Sequence, residues 1–375
     1  MRDRSDLPPL VDVALIPLVN VLVAFGVAAL IVLAIGVDPA RALRVMLEGA
    51  LGSGEAVGYT LYYATNFVFT GLAVAVAAHA GLFNIGGEGQ ATLGGLGAGL
   101  AALALDRALP APLLIPLAIV AAALFGAGWA AIPAVLQAHR GSHIVITTIM
   151  FNFIAASLMV YLLVNVLIAP GSMSPESRPI AAAAELPTAH DMLAALGLQV
   201  GTSPLNLAIL LAVAACIAVW LAVWRTPWGY ELRVLGANPD AAAYAGVNAR
   251  RLTVQAMCVS GALAGLVGVN EILGVQHRLI LNFAAGTGFT GIAVALMGRN
   301  HPFGIVLASL LFGVLYQGGA ELAFEIPGMT RDVVAVMQGL VILFCGALSG
   351  LTRRPIEAAF AARAARARPA PAGGA

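Results

Sequence analysis

Ten residues beginning at Gly81, Gly-Leu-Phe-Asn-Ile-Gly-Gly-Glu-Gly-Gln, set an asparagine, a glutamate and a glutamine among four glycines between two apolar runs. Polar groups inside such runs persist where protein or water surrounds them, so Asn84, Glu88 and Gln90 are candidates for contact with a hydrogen-bonding substrate. Glycines allow close backbone approach, and a helix starting near Ile85 would aim free N–H groups at its entrance. Two readings stay open: a pathway-lining or gating segment, or an interfacial turn with Glu88 in the first turn of the next helix, favoured there by the helix dipole. Asn20, Asn66, Asn152, Asn165, Gln255, Asn270, Glu271, Thr287 and Thr290 are further polar residues within apolar runs. Each suits a substrate contact or a bond to a neighbouring helix, and exposure near the end of its run would account for Glu271.

Other chemistry finds little support. His79, His139, His143, His190, His277 and His301 are scattered without ligand spacing, and no Ser/His/Asp or Cys/His set accompanies them. Cys216, Cys258 and Cys345 fall inside apolar runs and read as small apolar fillers. The chain contains no lysine, so it carries neither a Walker A loop nor a Schiff-base amine. Any nucleotide-driven step must therefore use a different polypeptide. Gly94-Gly-Leu-Gly-Ala-Gly99 lacks a preceding strand and is expected to pack helices rather than cradle phosphate. No run of acidic residues or histidines follows the middle of the apolar segments as a proton relay would require.

The elements that must hold these residues belong in lipid. Hydrophobic residues make up 61% of the 375 positions and charged ones 10%, far from the ~25% charged residues of soluble chains. Runs near 13–37, 60–80, 85–105, 112–137, 144–168, 205–224, 253–273, 283–298, 303–320 and 332–351 approach the roughly 20 residues that cross a bilayer as helix. The fold class expected is an all-α polytopic membrane protein of about ten spans, the runs at 85–105 and 283–298 being suited also to broken or re-entrant segments. Arg2 and Arg4 precede a first run too long for a signal peptide, which reads as a retained helix. Arg140, Arg225, Arg233, Arg250, Arg251, Arg299 and the arginines after position 352 collect on one side, so both termini are expected in the cytoplasm.

Three stretches lie between or beyond the spans. Residues 170–204, rich in Pro, Ala and Ser, form an outer loop suited to capping, to meeting an extracellular partner, or to plain connection. The inner loop 225–251 has Pro227 after the preceding span and Asn238-Pro239-Asp240 as a helix start, with Asn238 or Asp240 as cap and Gly246 as stop. A short, small-residue helix there suits docking in a groove of another protein, or is an ordinary interfacial helix. The Ala/Arg/Pro-rich tail 353–375 is expected to be disordered, basic and cytoplasmic, near anionic lipid.

Over nearly its full length the chain resembles the permease subunits of bacterial ABC importers of the ribose/simple-sugar and nucleoside type. The resemblance rests on Gly81 to Gln90, on Leu235-Gly-Ala-Asn-Pro-Asp-Ala-Ala-Ala-Tyr-Ala-Gly246, and on Gly288-Phe-Thr-Gly-Ile-Ala-Val-Ala-Leu-Met-Gly298 with His301-Pro-Phe-Gly304. The first segment is similar to the nucleoside branch, whereas sugar permeases usually carry an Asp-Leu-Ser pattern there. One departure is Thr65-Asn66-Phe67 ahead of Gly71, where many relatives carry proline.

The resemblance implies a non-catalytic permease domain over 1–352 in the bacterial inner membrane, importing nucleosides or related purine and pyrimidine compounds. Simple-sugar import is the alternative, and an ion-driven carrier a more distant one. It implies a coupling helix using Gly236, Asn238, Pro239, Ala242, Ala243 and Gly246, docked on a cytoplasmic ATP-binding subunit that holds ATP and magnesium. An extracytoplasmic substrate-binding lipoprotein and a second permease subunit, often a distinct one, complete the expected assembly, with no nucleic acid and no cofactor in this chain. The path between permeases is expected to involve Asn66, Asn84, Glu88, Gln90, Asn152 and Thr287.

Overall fold

Apolar runs become helices throughout the computed structural model, which describes residues 16–195, 197 and 201–344. Cys345 and the tail 353–375 lie outside the described residues, as do Arg2 and Arg4. No β-strand occurs among the described residues, where the single ladder contact is an isolated bridge between Thr188 and Asn206. Among the described residues six helices are long and apolar enough to cross a bilayer: α3 (Gly54–His79), α5 (Ala111–Arg140), α6 (Ile144–Asn165), α8 (Ala208–Arg225), the run Ala249–Gln276 and α13 (Pro302–Glu325). Counting Val19–Ala34 with Pro39–Leu51 as one bent span gives up to seven. The remaining helices are α1 (Ile16–Ala34), α2 (Pro39–Leu51), α4 (Gly87–Leu105), α7 (Ala189–Ala195), α9 (Pro227–Ala237), α10 (Pro239–Tyr244), α12 (Thr287–Met297) and α14 (Arg331–Ile342).

The run Ala249–Gln276 divides into α11 (Ala249–Gly265) and a π-helical segment, Val269–Gln276. The run expected at 283–298 yields only the eleven residues of α12. Helix α2 lies in no apolar run, because Ala42, Met46 and Ala50 bury one face while Arg41, Arg44 and Glu48 occupy the others.

Two compact units are present. The first, 1–45 with 322–375, has a small core of Val32, Ala42, Leu322, Ile326, Met329 and Val334. The second, 46–321, carries the candidate site. Within it α3 is buried along most of its length, whereas α5, α6 and α8 each bury little more than one stripe. On α5 the stripe reads Leu114, Ala118, Ala122, Gly126, Ala130 and Ala134, one residue per turn, and packs against α11 at Gly261 and Gly265. Without a hydrophobic drive between helices in lipid, such small residues gain their packing through close approach. Gly94 of α4 meets Gly265 backbone to backbone, so the glycine run 94–99 serves packing.

The loop 170–204 is held down onto this unit. Asp106, just past α4, takes both guanidinium nitrogens of Arg178 at 2.8 and 3.0 Å and the N–H of Ala181 at 3.0 Å. Ser177, Ile180 and Leu186 donate backbone N–H groups to the carbonyls of Leu279, His277 and Leu273. The Arg178 guanidinium keeps the Asp106 carboxyl below the usual carboxylate range, and the carboxylate in turn raises Arg178.

Candidate functional site

Helix α3 ends at His79, Gly81 turns the chain with φ +72°, and residues 82–86 run back without helix before α4 begins at Gly87. Extended backbone within a bundle needs partners from side chains. Asn84 supplies them first: its Oδ1 accepts the N–H of Gly86 at 2.9 Å, and its Nδ2 donates to Gln90 Oε1 at 2.9 Å and to Ser260 Oγ at 2.8 Å. Gln90 returns a bond from Nε2 to Asn84 Oδ1 at 3.1 Å, and Ser260 donates to the Ala73 carbonyl at 2.6 Å. From α6, Asn152 accepts the Gly89 N–H and donates to the Ile85 carbonyl, both at 2.9 Å. Three of the expected path residues thus meet here and shape the break.

Glu88 connects this break to a second one. Its two carboxylate oxygens accept the N–H groups of Gly286 at 2.8 Å and of Gly288 at 2.9 Å, at the start of α12. Gly87 and Gly288 touch backbone to backbone, with no room for a Cβ on Gly288. The chain entering α12 is irregular: His277, Asn282, Ala285 and Gly286 all have positive φ, and Asn282 and Ala285 are exposed. The last turn of α12 leads to Asn300, whose carbonyl lies 3.1 Å from His79 Nε2 at the end of α3. Eleven residues of helix rise about 16 Å from that end. That is roughly half of a ~30 Å hydrocarbon core, whereas the nineteen residues of α4 rise about 28 Å, so a part-length helix and a nearly full-length one meet at their N-termini. Their aligned dipoles place partial positive charge at the junction, which the Glu88 carboxylate offsets. Thr287 lies between the two gripped residues, buried at 6% exposure.

Asn66 belongs to another cluster. Its Nδ2 donates to Glu271 Oε1 at 2.6 Å, where Tyr62 Oη also donates at 2.5 Å, and its Oδ1 accepts from Asn270 at 2.9 Å. Asn206 donates to Asn270 Oδ1 at 2.9 Å. Glu271, expected near an exposed end, is instead 4% exposed and held inside the π-helical segment. The wider π turn carries Asn270 and Glu271 together toward α3, which explains the difference. Tyr62, Asn206 and Ser260 escaped the sequence reading. The spacing of Tyr62, Asn66 and Thr70, four apart on one helical face, is the signal that marks the first of them. Close by, Tyr63 packs on Tyr316 with ring centroids 5.8 Å apart, and Tyr316 Oη bonds Thr290 Oγ1 at 2.9 Å.

At the α3 end of the bundle lies the 225–251 loop. Thr226 caps α9 through a 3.2 Å bond from Gly229 N–H, with Pro227 at its first position. Asn238 caps α10, accepting from Asp240 at 2.9 Å and Ala241 at 3.1 Å, and Gly246 ends the turn with φ +78°. Ala242 packs inward with Leu235 and Leu252, whereas Pro239, Ala243, Tyr244 and Gly246 are exposed. Gly236 lies against the chain at 79–81: a Cβ on it would meet the His79 carbonyl and stand 2.8 Å from the Gly81 nitrogen. The loop therefore touches the first residue of the 81–90 break. Among the described residues no grouping of His, Cys, Asp and Glu could hold a metal ion.

The profile of the family described as branched-chain amino acid transport system / permease component matches residues 56–346. The nucleoside ABC transporter permease protein NupB of Lactococcus lactis is 35% identical over 339 residues, 88% of this chain and 90% of the relative. The guanosine ABC transporter permease protein NupP of Bacillus subtilis is 36% identical over 331 residues, 88% of this chain and 92% of the relative. The glucose ABC transporter permease protein TsgB13 of Haloferax volcanii is 36% identical over 330 residues, 88% of this chain and 86% of the relative. No solved structure matches the chain.

Proposed function

The chain belongs to the branched-chain amino acid transport system / permease component family, and on that premise we propose that it is the permease subunit of an ATP-driven importer of nucleosides or related purine and pyrimidine compounds. The observation carrying the substrate class is the likeness, across nearly nine-tenths of the chain, to permeases named for nucleosides and for guanosine. Simple-sugar import is the second reading, favoured by the glucose permease of Haloferax volcanii at 36% identity.

In this reading residues 1–352 form the permease domain of about ten spans in the bacterial inner membrane, with both ends and the 353–375 tail in the cytoplasm. The exposed side of α10, with Gly236, Asn238, Pro239, Ala243 and Gly246 and with Ala242 packed beneath, docks on a separate ATP-binding subunit that holds ATP and magnesium. A second permease subunit completes the path and a substrate-binding lipoprotein delivers the cargo. Asn84, Gln90 and Asn152 shape the path from behind the 81–90 break, Glu88 and Thr287 stand where the N-termini of α4 and α12 meet, and Asn66 acts nearer the other end. The test is uptake by the reconstituted complex of labelled guanosine and uridine against ribose and glucose, with and without ATP. ATP-dependent nucleoside uptake is expected. Sugar-only uptake would overturn the substrate, and accumulation by this chain alone under an ion gradient would overturn the importer.

A further inference from the structure

The hydroxyl of Thr287 is buried and has no hydrogen-bond partner. Such a group carries its desolvation cost without return, so it calls for an explanation. Thr290, one turn along the same helix, has both the Gly286 carbonyl at 3.3 Å and Tyr316 Oη at 2.9 Å. Thr287 is the first residue of α12, with no preceding helical turn to supply a carbonyl. Its immediate neighbours in the chain, Gly286 and Gly288, grip the Glu88 carboxylate. Each carboxylate oxygen takes one backbone N–H and keeps acceptor capacity besides. An unused hydroxyl therefore lies on the residue between the two that grip a partly used carboxylate, where two helix N-termini meet.

We infer that Thr287 and Glu88 form a subsite for the vicinal hydroxyls of a ribose, an inference that rests on the nucleoside reading above. Two adjacent sugar O–H groups can donate to the carboxylate oxygens, while the threonine hydroxyl donates to one of the same sugar oxygens. Glu88 already offsets the positive helix ends, so a phosphate would meet a carboxylate and the subsite favours unphosphorylated sugars. Half-buried Tyr63 and Tyr316 lie one helical turn away through Thr290, giving ring faces to a base attached to that sugar. The adjoining contact, Gly87 on Gly288, is backbone on backbone with no side chains to interlock.

The test uses the assembled complex in proteoliposomes, measuring uptake of guanosine and 2′,3′-dideoxyguanosine by the wild type, Thr287→Val and Thr287→Ser, with thermal unfolding of each. Valine keeps the shape and removes the hydroxyl. The expected result is a KM for guanosine raised about tenfold in Thr287→Val. Thr287→Ser stays near wild type, uptake of the dideoxy compound is weaker and insensitive to the valine, and the melting temperature is held or raised. Guanosine uptake unchanged in Thr287→Val, both compounds impaired alike, or a lowered melting temperature would each overturn the subsite while leaving nucleoside import standing. A wild-type complex that moves no nucleoside would overturn both.

Discussion

Glu88, in the first turn of α4, accepts the backbone N–H of Gly288, in the first turn of α12, at 2.9 Å, so one carboxylate serves the entrances of two helices. Amphipathic surface helices often carry an acid at their own first turn, but here the same group also closes the neighbouring helix. The relative placement of α4 and α12 is therefore held by this carboxylate together with the backbone contact of Gly87 on Gly288.

Replacing that side chain by its amide tests the dependence. In Glu88→Gln one oxygen can still accept an N–H, while the new NH2 turns a donor toward the other. We expect a loss of about 1–3 kcal/mol in unfolding free energy and a steep fall in uptake. Thermal unfolding in detergent together with transport assays measures both, and wild-type stability in this variant would remove the bridging role from Glu88.

Gly236→Ala probes the contact between the loop and the 81–90 break. The added Cβ meets the His79 carbonyl, so one of the two segments must shift. The complex is expected to assemble and hydrolyse ATP while importing several-fold less substrate per ATP, a loss of coupling rather than of docking. A normal ratio of uptake to hydrolysis would show that the contact transmits nothing.

Ala243→Arg separates docking from folding. Ala243 is exposed on α10 whereas Ala242 is fully buried beneath it, so the arginine can be accommodated by this chain but not by a close-fitting partner groove. Expression and melting should match wild type, while co-purification of the ATP-binding subunit and substrate-stimulated hydrolysis are lost. Intact assembly in this variant would place the docking surface elsewhere.

Acid should release the 170–204 loop. Asp106 ionises more easily in the folded chain than the ordinary value of about 3.9, so its stabilisation is fully present above that pH and fades as pH falls through the lower folded value. Arg178→Ala removes the cause and is expected to cost roughly 1–3 kcal/mol at neutral pH. Melting curves from pH 7 to pH 3 should show wild type and variant converging below about pH 4. A gap that stays constant to pH 3 would mean that the ion pair contributes nothing titratable.

Of the ten expected spans, six, or seven with the bent pair counted, were legible among the described residues because lipid demands long apolar runs, and the α10 cap because Asn-Pro-Asp states it locally. Helix α2 was not, since its buried face repeats every four residues among charges. The break at 81–90 announced itself by composition, but the residues that support it did not. Ser260, which bonds Asn84, lies 176 positions away, and Tyr62 lies 209 positions from Glu271. Pairings over such distances follow from how helices assemble, and a single apolar sequence carries little trace of them. Glu271 illustrates the same point, because a π turn rather than a change in residue type brings it inside.

The irregular chain ahead of α12, with Asn282 and Ala285 exposed at positive φ, sets a condition on the life of the protein in the cell. Backbone of that kind is not tolerated against acyl chains, so under the proposed pairing the subunit on its own would present a face that membrane quality-control proteases can distinguish. Pulse-chase labelling should find its half-life shortened severalfold when the second permease subunit is withheld. Equal turnover alone and in company would show that the bilayer accepts this face as it stands.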